Sequence, residues 1–194
     1  MRRMLAYHGT VVGNLKKLVP FANPHSNLKY PCVYLSTNEA LASIYIWNRD
    51  YKLMTFEIRE DGMPVYNESF RGCLSEFYGG VKGYIYLCEG DFKADENTTI
   101  RHAVISEEEV AVKDVEVVED AYERILRFEK EGSLIINHFE TLFDEQKRRD
   151  RNMVLGAIKR LELLKGEHPL SEFVKEKFPA LWNEALEAER KTAE

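Results

Sequence analysis

The sequence predicts an α+β protein, strand-rich over residues 1–120 and helical over 121–194. Two observations carry this. In the first part, short apolar runs and period-two alternation, as in Leu53-Met54-Thr55-Phe56-Glu57-Ile58, are cut by glycine, proline and asparagine, the pattern of strands joined by turns. From Asp120 onward, glycine and proline become sparse and the apolar spacing lengthens to about 3.6 residues, the period of an amphipathic helix. A length of 194 residues suits one domain with an appendage or two small domains, and 44% hydrophobic content is enough for a core. No internal repeat emerges.

Taken in order, residues 3–8 read as a buried strand that ends at Gly9. Residues 10–31 carry loop chemistry in Gly13, Pro20, Asn23, Pro24, Asn27 and Pro31, with one turn of helix at 13–18. Cys32-Val33-Tyr34-Leu35 is a short strand. Ser36 and Glu39 then fit a capping box, in which the hydroxyl accepts from a first-turn N–H and the carboxylate reaches back, so a helix is expected over about 37–48. Residues 53–58 are a strand, Asp61-Gly62 a turn and Pro64-Val65-Tyr66 an edge strand. Residues 69–78 are ambiguous, with a short helix one reading, and Gly79-Gly80 ends them. Strands follow at 83–89, 99–105 and 110–118, with an acidic corner at Glu107-Glu108-Glu109 between the last two. Helical stripes are then expected from Tyr122 to Gly132, over Leu134, Ile135, His138, Phe139, Leu142 and Phe143, from Val154 to Leu164, and from Leu170 to Leu186 with a break at Pro179.

The net charge of -6 argues against bulk, non-specific nucleic-acid binding, which needs a positive surface. Three cysteines (Cys32, Cys73 and Cys88) are an odd number without CxxC spacing and point to buried reduced thiols, not to a disulfide framework or a zinc site. His25, His102, His138 and His168 share no metal-ligand spacing, so no metal is expected. No apolar run is long enough to span a bilayer, and Tyr7-His8-Gly9 interrupts the N-terminal apolar stretch too early for a signal peptide, so the expected location is cytoplasmic.

Two stretches carry the candidate chemistry: Ala6-Tyr7-His8-Gly9-Thr10, and Val33-Tyr34-Leu35-Ser36 with the helix that follows. His8 supplies a ring nitrogen at a strand end, and Gly9 offers backbone without a side chain, against which a flat ligand can lie. Tyr34 ends a strand ahead of a helix N-terminus, where partial positive charge favours an anion. Ala42 and Tyr45, three apart, share a face of that helix, so a ring fits between Tyr34 and Tyr45. Glu107 and Glu109 point to one face of the following strand and Glu108 to the other. Singly, each residue has an ordinary structural reading as a satisfied strand-end histidine, packing tyrosines and a solvated acidic corner.

Together, the order strand-Tyr-His-Gly-Thr, strand-Tyr with a helix carrying Ala and Tyr, then Glu leading a strand, resembles the ADP-ribosyltransferase superfamily. The resemblance is to its His-Tyr-Glu branch, which includes diphtheria-type toxins and poly(ADP-ribose) polymerases. It covers about 1–120 in three short pieces and implies a split mixed β-sandwich that grips NAD, with 121–194 as a helical C-terminal appendage without a counterpart. It implies that His8 bonds the adenosine ribose, that the Gly9 backbone holds the nicotinamide carboxamide, that Tyr34 packs near the nicotinamide and that Tyr45 stacks on it. Glu109, in Glu109-Val110-Ala111-Val112-Lys113-Asp114, resembles the family glutamate, with Glu107 and Glu108 as alternative registers. The implied catalytic set is His8, Tyr34 and Glu109, and the implied NAD-binding set is His8, Gly9, Thr10, Tyr34, Ser36, Ala42 and Tyr45. Ala42 stands where the family often has Ser, which removes about one net hydrogen bond, roughly 0.5–1.5 kcal/mol. The implied activity is cleavage of the nicotinamide–ribose bond and transfer of ADP-ribose to an unknown acceptor.

Other readings remain at this stage. One is a non-catalytic ligand- or protein-binding module on the same fold. Another is a relative of the RNA 2′-phosphotransferases, which surround the donor with arginines; Arg49, Arg59, Arg71 and Arg101 form no matching pattern. Lys147, Arg148, Arg149 and Arg151 make a basic run expected between two helices, read either as a solvated corner or as a site for a nucleic-acid or acidic partner.

Overall fold

The computed structural model describes residues 3–22, 30–49, 55–94 and 100–193 of the chain. Its first half contains β1 (Met4–Thr10), β2 (Lys17–Leu18), β3 (Val33–Ser36), α1 (Glu39–Ser43), β4 (Thr55–Ile58), β5 (Pro64–Asn67), α2 (Cys73–Tyr78) and β6 (Gly83–Gly90). The second half contains β7 (Ala103–Ser106), β8 (Val110–Val118), α3 (Ala121–Lys130), β9 (Ile135–Asn137), α4 (Asp144–Arg160), α5 (Leu170–Lys177) and α6 (Pro179–Ala193). The protein is therefore α+β, with a curled six-stranded antiparallel sheet, a small mixed sheet and C-terminal helices.

The chain divides into two compact units, one formed by residues 1–49, 56–66 and 74–136, the other by 50–55, 67–73 and 137–194. Helix α3 belongs to the first unit. Its Arg124 bonds Glu39 of α1 and Glu116 of β8, and the guanidinium lies 3.7 Å from the centre of the Phe128 ring.

The large sheet runs in the order β2-β8-β6-β1-β3-β7. Alternation places Ala6, Val33, Leu35, Tyr86, Cys88, Val104 and Val110 in one buried cluster with Leu18 and Phe92. The register sets His8 opposite Tyr86 on one side of β1, and Tyr7 opposite Ser36 on the other. A bulge between Leu87 and Cys88 interrupts the β6–β8 pairing, a feature that bends a strand and increases its twist. The segment after β2 then leaves β8. By Phe21 it bridges Cys32, just ahead of β3, so that only two residues, Val19 and Pro20, separate Leu18 on one strand from Phe21 beside another. This strap closes one side of the curl.

Several elements differ from the sequence expectation. β1 continues through Gly9 to Thr10 instead of ending at Gly9. The expected helical turn at 13–18 is absent, because Asn14 takes a left-handed φ of 62° and the chain then pairs with β8 as β2. α1 is five residues long, not twelve, and its cap is Asn38, whose side chain accepts from the Leu41 N–H. Ser36 instead accepts from the Asn38 N–H, and the Glu39 carboxylate is held by Arg124, so the Ser36–Glu39 capping box does not form.

β5 is the centre of its three-stranded sheet, not an edge; Pro64 is tolerated as its first residue. The strand expected at 99–105 spans 103–106, after a turn at His102 with φ 70°; Thr99 lies outside the described residues, as do Leu53 and Met54. The apolar stripe from Leu134 to Phe143 is not a helix. The β-branched pair Ile135-Ile136 forms strand β9, and a short 3-10 turn follows at Phe139–Thr141.

In the second unit, α4, α5 and α6 bury Val154, Ile158, Leu170, Val174 and Trp182. The Phe70 ring meets Phe173 and Phe178 edge-on at 5.8 and 5.6 Å.

Candidate functional site

The curl of the large sheet encloses a cavity of about 690 Å³ within the first unit. β1 contributes His8, Gly9 and Thr10 to its wall, and β3 contributes Tyr34 and Ser36. Ala42 of α1 and Tyr45, two residues past the end of that helix, also line it. All seven residues expected to hold a ligand thus face one space, although the two motifs are separate in sequence.

Three contacts fasten the motifs to each other. Tyr7 pairs with Ser36 in the sheet. The His8 ring donates from Nδ1 to the Tyr34 carbonyl at 2.8 Å. The third contact is at Gly9, where a Cβ would lie 2.0 Å from the Ala42 carbonyl oxygen and 2.8 Å from its carbon. Backbone cannot yield by that much, so the packing of α1 on β1 by itself requires glycine here.

A carbonyl only accepts, so Nδ1 of His8 carries the proton and Nε2 of the neutral ring is left as an acceptor. Burial lowers the His8 pKa from its ordinary 6.5, with the hydrogen bond to Tyr34 acting against it. The ring is neutral at pH 7. Burial also raises the Tyr45 phenol, and the nearby Tyr34 adds to the shift, so Tyr45 is a neutral donor. Tyr45 follows α1 in a turn, donating its N–H to the Ala42 carbonyl, so its side chain reaches the cavity from the turn and not from a shared helix face. A helix of five residues carries too few aligned peptides for the anion-binding argument drawn from its N-terminus.

Of the three glutamates, none is among the residues that line the cavity. Glu107 pairs with Lys93 on the β7 side. Glu108 is held through its backbone, with its N–H donating to Ser106 Oγ and its carbonyl accepting from it. Glu109, at the head of β8, accepts from Lys17 Nζ at 2.8 Å (Oε1) and 2.7 Å (Oε2). Lys17 does line the cavity, so Glu109 is joined to it through one side chain.

Two contributors were not foreseen in the sequence. One is Lys17. The other is Tyr86, whose hydroxyl donates to the Val12 carbonyl at 2.9 Å and accepts from the Leu15 N–H at 3.2 Å. It pins the loop that supplies Val12 and Leu15 to the wall. A buried tyrosine in a period-two strand signals that its hydroxyl needs a partner, but not which one.

The remaining candidates fall elsewhere. Arg49 pairs with Glu76, Arg59 with Asp61 and Arg71 with Glu140, while Arg101 donates to the Glu60 carbonyl; none lines the cavity. The basic run lies inside α4, not between helices. Arg149 pairs with Glu145, Arg151 with Glu184, and Lys147 lies 5.7 Å from the Phe139 ring centre.

His138, expected on a helical stripe, precedes the 3-10 turn and bonds Glu68, while His25 lies outside the described residues. Cys32, Cys73 and Cys88 are buried thiols outside any disulfide, and burial pushes the Cys88 thiol up to about 11, an unreactive state. Among the described residues no cluster of three or more His, Cys, Asp or Glu is placed to hold a metal ion, and no helix is long and apolar enough to cross a membrane. Comparison with protein-family models, with curated proteins and with solved structures found no match to this chain.

Proposed function

We propose that the cavity binds NAD and that the protein is an ADP-ribosyltransferase-like enzyme of the His-Tyr-Glu kind, with a split mixed β-sandwich as its core. The observation that carries this reading is the convergence of His8, Gly9 and Thr10 with Tyr34, Ser36, Ala42 and Tyr45 on one cavity. The two separate sheets support the finer fold. Fit also supports it. The volume of about 690 Å³ lies within the range of small-molecule sites, roughly 300–1,000 Å³. The wall combines three tyrosines (Tyr7, Tyr34 and Tyr45), a neutral histidine acceptor and apolar side chains, which suits a ligand made of flat rings and ribose hydroxyls.

In this reading His8 Nε2 accepts from a ribose hydroxyl, and the rings of Tyr34 and Tyr45 hold the nicotinamide aligned for departure. The bond broken joins nicotinamide to ribose; nicotinamide leaves with the electron pair and the acceptor's nucleophile takes its place. Glu109, once near the ribose, stabilises the developing positive charge. The acceptor is open to a protein, a nucleic acid, a small molecule or water.

One observation favours a second reading, a binding module without turnover: both Glu109 oxygens are engaged by Lys17. NAD titration by calorimetry beside a nicotinamide-release assay separates the two. Release that collapses in Glu109→Gln while binding persists is expected for the enzyme. Binding that needs His8 without any release indicates the module. A folded protein that binds no NAD refutes the NAD reading, as enzyme or as module.

A further inference from the structure

The cavity wall is short of charge. Among the described residues that line it, Lys17 is the one cation and no carboxylate is present. Lys17 stands on β2, a two-residue edge strand held to β8 with Lys17 opposite Ala111. Its position is therefore set by sheet pairing, while its side chain stays 57% exposed. The Glu109 side chain is 53% exposed. An ammonium has three donors, and the bonds to Glu109 use two of them, leaving one for another acceptor. An ion pair this open to water is readily exchanged for a stronger anion.

We infer, resting on the NAD reading, that Lys17 is the residue that recognises the diphosphate of the ligand, and that the same contact releases Glu109 from its resting ion pair. The ion pair with Lys17 masks the glutamate. A ligand carrying both a ring for the tyrosines and a diphosphate for Lys17 draws the ammonium away and leaves the carboxylate unpaired beside the cavity. Lys17 thus acts as a specificity residue by touching the ligand and as a positioning residue by freeing Glu109. A nucleoside without phosphate satisfies only the first half of the cavity and leaves Glu109 masked.

The test compares NAD with nicotinamide riboside, which keeps the nicotinamide ribosyl group but lacks the diphosphate. Both are titrated by calorimetry into the wild type, Lys17→Gln, Lys17→Arg and Glu109→Gln, at ionic strengths of about 0.02 and 0.3 M. Lys17→Gln is expected to weaken NAD binding by about tenfold or more at low salt, because a charge-assisted bond is lost. It should leave nicotinamide riboside within about twofold and flatten the salt dependence for NAD. Lys17→Arg should restore most of the NAD affinity. Glu109→Gln, which frees Lys17, should bind NAD at least as tightly as the wild type. If Lys17→Gln leaves NAD affinity unchanged, or weakens both ligands equally, the inference falls while the NAD reading stands. If Glu109→Gln weakens NAD binding, the release step is refuted. A wild type that binds no NAD removes the underlying reading and this inference with it.

Discussion

Replacing Asp150 by asparagine removes a buried carboxylate that has little to hold it. Asp150 lies on α4 at 4% exposure. One oxygen accepts from Thr55 Oγ1 at 3.4 Å, a long bond, and the other has no hydrogen-bond partner among the described residues. Gln146 Nε2 in turn donates to Thr55 Oγ1 at 3.3 Å. Burial raises the Asp150 pKa from its ordinary 3.8 to about 6, with the Thr55 hydroxyl acting against the shift.

A shift of about two units corresponds to roughly 3 kcal/mol between the two protonation states. The folded pKa lies above the unfolded one, so the folded state binds the extra proton. Stability from this group is complete below about pH 4 and is lost as the pH rises through about 6. Neutral Asp and Asn are near isosteres. The difference between Asp150→Asn and wild type is therefore expected to rise by about 3 kcal/mol in favour of the variant from about pH 4 to pH 8.

Urea unfolding at several pH values measures it. The protein has two tryptophans, and in a Trp47→Phe background Trp182 reports on the unit that contains Asp150. A difference that stays constant within about 0.5 kcal/mol over that range refutes the reasoning, since a pH-independent offset reflects packing and not titration.

Three further outcomes are expected. Gly9→Ala places a methyl against the Ala42 carbonyl, so it should cost at least the 1–3 kcal/mol typical of overpacking (about 2–4 °C of melting temperature per kcal/mol). A melt unchanged within about a degree would mean that α1 does not sit on β1 as described. Tyr86→Phe strands the Val12 carbonyl and the Leu15 N–H, at a cost of about 1–3 kcal/mol, and native-state hydrogen exchange should speed up at the Leu15 amide. His8, with its folded pKa below 6.5, is protonated more readily in the unfolded chain. It therefore takes stability away as the pH falls below that value, and NMR titration of its ring should find a midpoint under 6.5.

Much of the architecture was legible because it rests on local pattern. The strands expected at 83–89 and 110–118 are β6 and β8, and Gly132, in a left-handed conformation, marks the end of α3 as expected. Expectations failed where two local rules competed or where a distant partner decided. Ser36 and Glu39 satisfy the spacing of a capping box, yet Asn38 is the better-placed cap and Arg124, far along the chain, takes Glu39. Ile135 carries helical spacing with Leu134, His138, Phe139, Leu142 and Phe143, but the β-branched pair Ile135-Ile136 went into a sheet instead. In the candidate site the aromatic and histidine positions could be read from sequence. Lys17 could not, because it is tied to Glu109 by the pairing of β2 with β8 across 92 residues. Gly9 was read for its openness to a ligand, whereas the structure gives it a second duty under the Ala42 carbonyl.

The division between fixed and exchangeable contacts around the cavity bears on how it works. Its aromatic end is held by the Tyr7–Ser36 register, the His8–Tyr34 hydrogen bond, the Gly9–Ala42 contact and the doubly bonded Tyr86 hydroxyl, all at backbone level. Each of those costs free energy to break, because it leaves a buried polar group unpaired or forces packed backbone apart. The charged end rests on a single ion pair between half-exposed side chains, a kind of contact that contributes at most about 1 kcal/mol. On the proposed reading, a ligand entering the cavity meets the wall of His8, Tyr34 and Tyr45 already in position and spends little to rearrange the lysine and glutamate. The geometry thus concentrates adaptability at Lys17 and Glu109 and rigidity around His8, Gly9 and Tyr34, the allocation that the proposed NAD site requires.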